Sequence, residues 1–207
     1  METYNYNDYK EAGIDQIFVQ DNQSASAKNV LRGLHFQINF PQDKLVRVVS
    51  GEVFDVAVDL RPGSATFGKW HGVILSAENK KQFFIPKNFA HGFFVLSDYA
   101  EFAYKCTDFY HPNDEGGLKF DDPDIGVAWP FEKGTELETL SMGNNGISDI
   151  SPLAKLKNVK SLSIQGNRIT DYSVLLGMKK LEFLWTDGLP SDIRQAVLKA
   201  NPECVIY

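Results

Sequence analysis

In the run Asn29-Val-Leu-Arg-Gly-Leu-His-Phe-Gln37, Arg32 and His35 stand on either side of Gly33 within an apolar, strand-like stretch. Two basic groups in such a strand need a reason. Imidazole takes up and returns a proton near neutral pH without outside help. A guanidinium stays charged, and its planar fork suits phosphate or carboxylate. The pair therefore points to a pocket that holds an anionic substrate and moves a proton on it. Simple alternation along a strand puts the two side chains on opposite faces, so a shared pocket requires a bulge or twist at Gly33. Asp55 is an acid inside another apolar strand. A buried carboxylate without a partner is costly, so it is expected beside the polar groups of the same cavity, orienting His35 or Lys44.

The elements that must position these groups follow from the spacing of apolar residues. Up to about Pro130 the pattern has period two: Val53, Asp55, Ala57 and Asp59 fall on one side of a strand, and Phe54, Val56, Val58 and Leu60 on the other. Ser50-Gly51 reads as a hairpin turn joining that strand to Lys44–Val49. Further short runs at Phe67–Leu75, Gln82–Ile85, Gly92–Leu96 and Glu101–Thr107 are separated by Gly, Pro, Asn and Asp. Many short strands point to an antiparallel sandwich or barrel, with one short helix over Tyr6–Ala12.

After Glu136 the rhythm changes. Leu137, Val159 and Leu181 are 22 residues apart, as are Leu140, Leu162 and Leu184, then Met142, Ile164 and Thr186. Asn145 with Asn167 and Ile147 with Ile169 keep the same frame. This period is the leucine-rich-repeat signature, in which a short strand turns leucines inward and an asparagine ties the bend. About two and a half repeats are expected, closed by a helix over Ser191–Ala200 and a strand over Cys204–Tyr207. So short a stack needs a capping partner, and the preceding domain is the expected support. The stack's exposed strand face carries Glu138, Thr139, Ser141 and Gly143, then Lys160, Ser161, Ser163 and Gln165. These are small or polar, with no aromatic anchor of the kind that dominates tight interfaces.

Composition bounds the function. The 207 residues are 43% hydrophobic and 23% charged, as in an ordinary globular protein. Residues 1–135 carry 13 Lys+Arg against 19 Asp+Glu, the whole of the net −6, which argues against non-specific nucleic-acid binding. No apolar run spans a bilayer. The opening residues resemble no signal peptide, and Cys106 and Cys204 form no disulfide framework. A cytoplasmic protein is expected.

Several motifs then occur in order: Phe18-Val-Gln-Asp-Asn22, Val30–Gln37, Gly51–Arg61, Phe67-Gly-Lys-Trp70, Ile85-Pro-Lys-Asn-Phe-Ala-His-Gly-Phe93, Glu101-Phe-Ala-Tyr-Lys105, Asp122-Pro-Asp-Ile-Gly126 and Trp129-Pro130. Over about residues 2–131 they resemble the dTDP-4-dehydrorhamnose 3,5-epimerase family. The resemblance implies a mainly β chain, with a cupin-type antiparallel jelly roll over 1–133. The repeats, similar to the internalin type, would follow as a short α/β solenoid over 134–207. It also implies a cofactor-free isomerase of dTDP-L-rhamnose biosynthesis that inverts C3 and C5 of a dTDP-4-keto-6-deoxy sugar. His35 would be the base, Tyr104 the opposing acid, and Lys44 the cation near the enolate oxygen. Glu2, Gln20, Asp21, Asn22, Arg32, His91 and Glu115 would contact the nucleotide sugar. Family members form homodimers. Many cupins hold a metal through His-x-His, but Phe36-Gln37 follows His35, so no metal is expected.

Duller roles compete. Tyr104 suits a core position with its hydroxyl at the rim. Glu101 and Lys105 read as an exposed cross-strand pair, and His111 as a loop residue. Set against the family, the chain opens after the family's first strands and a pyrophosphate-holding arginine. The family's Lys-Asp segment, whose aspartate orients the base, is replaced by the repeats. The resemblance therefore implies an epimerase of lowered rate. The alternatives are a non-catalytic binder of nucleotide sugars, or an interaction scaffold that uses the repeats.

Overall fold

In the computed structural model, residues 1–131 and 137–207 are described. The expected domain boundary between residues 133 and 134 lies outside them. The first part runs through helix α1 (Tyr6–Glu11) and strands β1 (Gln20–Ala27), β2 (Val30–Gln37), β3 (Lys44–Ser50), β4 (Glu52–Asp59), β5 (Trp70–Ser76), β6 (Gln82–Ile85), β7 (Phe89–Val95), β8 (Tyr99–Cys106) and β9 (Glu115–Gly117). The second part holds β10 (Thr139–Ser141), β11 (Ser161–Ser163), β12 (Phe183–Trp185), helix α2 (Ser191–Ala200) and β13 (Val205–Ile206).

The first part is a mainly antiparallel jelly roll of two sheets. One has the order β1-β8-β3-β6; the other joins β5, β4, β7 and β2, with β9 on the side of β2 away from β7. The β-branched alternation of β4 explains the layering. Val53 and Ala57 enter the layer holding Val46, Val48, Phe93 and Phe102. Val56 and Val58 enter a second layer with Leu34 and Ala90, beneath Leu118, Ile125, Val127 and Trp129. Burial on both faces makes β4 a central strand.

The Ser50-Gly51 hairpin is corrected. Strand β3 pairs with β6 and β8, whereas β4 pairs with β5 and β7, so Gly51 turns the chain from one sheet to the other. Its φ is +77°, and a Cβ there would overlap the Tyr99 carbonyl, so glycine makes the corner. The polar segment Gln20–Ala27 gave no apolar signal, yet it forms β1 by pairing with β8 along its whole length. Residues Phe67–Lys69 precede β5 as a turn rather than opening it.

Strands β10, β11, β12 and β13 pair in parallel, with Leu140, Leu162 and Leu184 in register. Asn167 ties adjacent turns: its Oδ1 accepts from Asn145 N and Ile147 N, and its Nδ2 donates to Met142 O and Ile164 O. The returns at Ser151–Lys155 and Ser173–Gly177 are 3-10 turns, and only the last is the α-helix α2. The ladder does not stand alone. Strand β10 pairs in parallel with β2, Leu140 opposite Leu31. One apolar cluster runs from Leu31 and Phe94 through Leu140, Leu162 and Leu184 to Val197. The edge of β2 thus caps the stack, and the stack covers an edge that would otherwise be open. No helix among the described residues is long and apolar enough to cross a membrane.

Leu140 is fully buried in this shared cluster. Leu140→Ala is expected to cost about 2–5 kcal/mol. Hydrogen exchange should show β2 and β11 losing protection together; loss confined to the ladder would separate the two parts.

Candidate active site

A cavity of about 350 Å³ opens between the two sheets. Strand β1 supplies Gln20 and Asn22, β2 Arg32 and His35, β3 Lys44, β7 His91, β8 Tyr104, and β9 Glu115. Eight side chains from six strands, read along the sequence as scattered candidates, meet at one site.

Arg32 and His35 share this cavity because the register of β2 against β7 shifts between them. Gly33 has φ +117°, and a Cβ on it would lie 2.5 Å from Gly92 Cα; one on Gly92 would lie 2.6 Å from Arg32 O. Two facing glycines let the strands approach closely enough to take up the shift.

Burial pushes the His35 imidazole down to about 3, with the nearby charges of Lys44, His91 and Arg32 acting the same way. The ring is therefore a neutral base at physiological pH. Burial also lowers Lys44 below the usual lysine range, opposed by Cys106, Glu115 and Asp55. Burial raises Tyr104 above an ordinary phenol, so it holds its proton. A neutral imidazole, a protonated phenol and a desolvated amine line one space.

Asp55 is not the partner of His35. It is fully buried on β4, and both carboxylate oxygens lie 3.0 Å from Nε2 of His91, itself 5% exposed. Register explains the choice. Ala57 is opposite His91 on β7, and Asp55 sits two residues along on the same face, within diagonal reach. His91 also faces the Phe102 ring at 6.0 Å. Glu115 accepts from the Tyr110 hydroxyl at 3.0 Å, and Gln20 accepts from Tyr110 N at 3.0 Å, so the rim is tied to the floor.

Two expected contacts fall outside. Asp21 alternates out of the cavity, is exposed, and accepts from Lys105 Nζ at 2.9 Å. Glu2 is exposed, and its carboxylate accepts from Asn5 Nδ2 at 3.4 Å. The Glu101–Lys105 pair is also corrected. Both lie on β8; Lys105 binds Asp21 and Glu101 accepts from Gln23. His111 stacks on Phe40 at 4.0 Å in the loop beside the rim.

Other lining residues gave little signal. Phe93 and Phe102 were legible only as inward positions of strands, and Ser141 belongs to the ladder. Asn145, 7% exposed, buries an amide with no partner among the described residues. It lies where a Cβ on Gly117 would be, and Gly117 is the strand partner of His35.

Residues 1–149 match the family model described as dTDP-4-dehydrorhamnose 3,5-epimerase, and residues 135–177 one described as Leucine Rich repeats (2 copies). A dTDP-4-dehydrorhamnose 3,5-epimerase of Methanothermobacter thermautotrophicus is 58% identical over 132 residues, 64% of this chain and 71% of that one. The Escherichia coli K12 protein of that name is 51% identical over 159 residues, 73% of this chain and 84% of that one. The crystal structure of the Legionella pneumophila dTDP-6-deoxy-D-glucose-3,5-epimerase, in complex with dTDP-4-keto-L-rhamnose, superposes with TM-score 0.64 at 57% identity. It covers 68% of this chain and 73% of that one.

Two measurements check the electrostatics. The His35 ring should stay neutral in an NMR titration from pH 8 to about 5, since its folded value of about 3 lies below the ordinary 6.5. By linkage the unfolded chain takes up that proton first, so stability falls as pH drops from 6.5 toward 3. A ring midpoint near 6.5 would refute the assignment. Asp55→Ala leaves His91 buried without its partner and should cost about 3 kcal/mol in chemical denaturation. An unchanged midpoint would mean the pair carries no stability.

Proposed function

Because this chain belongs to the dTDP-4-dehydrorhamnose 3,5-epimerase family, we propose that its cavity epimerises a dTDP-4-keto-6-deoxy sugar, a step of dTDP-L-rhamnose biosynthesis. The 4-ketone acidifies the protons on C3 and C5, because the carbanion left behind is an enolate. His35 removes the proton as a neutral base. Tyr104, kept protonated by burial, returns a proton to the opposite face and inverts the carbon. Lys44 faces the oxygen that gains charge only after proton removal, so its cation favours the enolate over the ketone. Arg32 holds the anionic nucleotide end, with Gln20, Asn22, His91 and Glu115 completing the contacts.

The observation that carries this reading is the opposite bias of the two proton carriers within one cavity: His35 is held below its usual range and Tyr104 above. Such a divergence supports the reading of His35 as base and Tyr104 as acid. His91 with Asp55 supports the lining, and no step passes through them.

We read residues 137–207 as a leucine-rich-repeat array, supported by the 22-residue register of Leu140, Leu162 and Leu184. The first two rungs carry small or polar residues on this face, all half-buried, and the third adds aromatics. Phe183 stacks on Trp185 at 5.9 Å, and Trp185 on Tyr207 at 5.2 Å. Phe183 and Tyr207 are exposed on either side of the half-buried Trp185, and such rings suit a protein partner at the far end of the array.

Turnover of the 4-keto sugar nucleotide in deuterated water should place deuterium at C3 or C5. His35→Asn should abolish this, and Tyr104→Phe should slow it by roughly 10²–10⁴-fold while dTDP still binds. Binding without exchange in the native protein would leave a nucleotide-sugar-binding protein instead.

A further inference from the structure

Ser141 lines the catalytic cavity although it belongs to the first strand of the ladder. It is opposite Arg32 across β10 and β2, and opposite Ser163 across β10 and β11; Trp185 continues the row on β12. Adjacent strands lie about 4.8 Å apart and paired residues share a face. The Ser141 hydroxyl is therefore one strand from the Arg32 side chain, on the side that faces the cavity. Ser163, in the equivalent place on the next rung, donates to Gln165 Oε1 at 2.7 Å and lies outside the cavity lining. Ser141 makes no side-chain hydrogen bond to any described residue and is only half-buried.

Arg32 spends one donor, Nη2, on the Ala25 carbonyl at 3.5 Å, which leaves most of its fork for a ligand. A guanidinium and a hydroxyl side by side at a cavity wall form a donor set for a multi-oxygen anion. The carboxylate among the lining residues, Glu115, accepts from Tyr110, and Asp55 lies outside the lining, held by His91.

We infer that Ser141 is a substrate-binding residue, its hydroxyl donating to the same diphosphate as Arg32, so that the first rung of the C-terminal ladder is a wall of the active site. This rests on the reading of the cavity as a nucleotide-sugar site. It also gives the β2–β10 junction a role beyond stability: whatever shifts the ladder against β2 moves a donor at the substrate.

The test compares Ser141 and Ser163 variants of the full chain, by calorimetric titration with dTDP and by steady-state turnover. Ser141→Ala should weaken dTDP binding and raise KM by about tenfold, the loss of one hydrogen bond to a charged group, with kcat changed by less than about twofold. Ser141→Asp should weaken binding further by setting a carboxylate against Arg32. Ser163→Ala and Ser163→Asp should bind as the native protein does. Native affinity in both Ser141 variants, or equal losses in the Ser163 variants, would overturn the inference. Should Ser141→Asp fail to fold, Ser141→Ala, which removes a single oxygen, decides alone. Deuterium exchange by the native protein with native KM in Ser141→Ala would sink this contact and spare the epimerase. Binding losses at Ser141 in a protein that shows no exchange would do the reverse.

Discussion

Strand β2 and the close approach of Gly33 to Gly92 are what the rest of the structure hangs on. A strand of strict alternation would put Arg32 and His35 on opposite faces, one in the cavity and one in the apolar layer with Leu34. The shift of register between them brings both into the cavity. It is possible only because neither strand carries a Cβ where they meet. One backbone contact thus decides whether Arg32 and His35 share a cavity or lie on opposite faces of the strand.

The electrostatics follow from that geometry. The chain as a whole is acidic, at −6, and yet the cavity collects the basic side chains of Arg32 and Lys44. Attraction of an anionic ligand must come from these few aimed groups at short range in a poorly solvated space, where charge acts more strongly than at the surface. The same burial holds His35 neutral and Tyr104 protonated. A buried carboxylate beside His35 would undo part of this by raising the imidazole, and Asp55 avoids that effect by bonding His91.

The other edge of β2 carries the ladder. Parallel pairing with β10 lets one apolar cluster cross from jelly roll to ladder, which solves the capping problem of a short stack and the open-edge problem of the sheet together. It also leaves a mark. Asn167 finds backbone partners on both turns it joins, but the Asn145 amide has no partner among the described residues and is buried against β9 beside His35.

Much of this was legible in the chain itself. Period-two alternation identified β4 and its neighbours, and the 22-residue spacing identified the rungs with Leu140, Leu162 and Leu184 in register. Gly33 between Arg32 and His35 signalled a bulge. These are local patterns, in which a residue's type reports the face it must occupy. The misses were non-local. The polar strand β1 exists because β8 is there to pair with it, Ser50-Gly51 turns between sheets rather than within one, and Asp21 faces Lys105. Asp55 is bound to His91 because β4 and β7 lie side by side in that register. Residue types and spacing were enough for a β domain with an arginine and a histidine around Gly33, followed by a 22-residue repeat. Which carboxylate serves which imidazole, and that Ser141 of the ladder stands at the cavity wall, came from the packing of strands far apart in the chain. Such contacts depend on which strands become neighbours, and no interval along the chain records that.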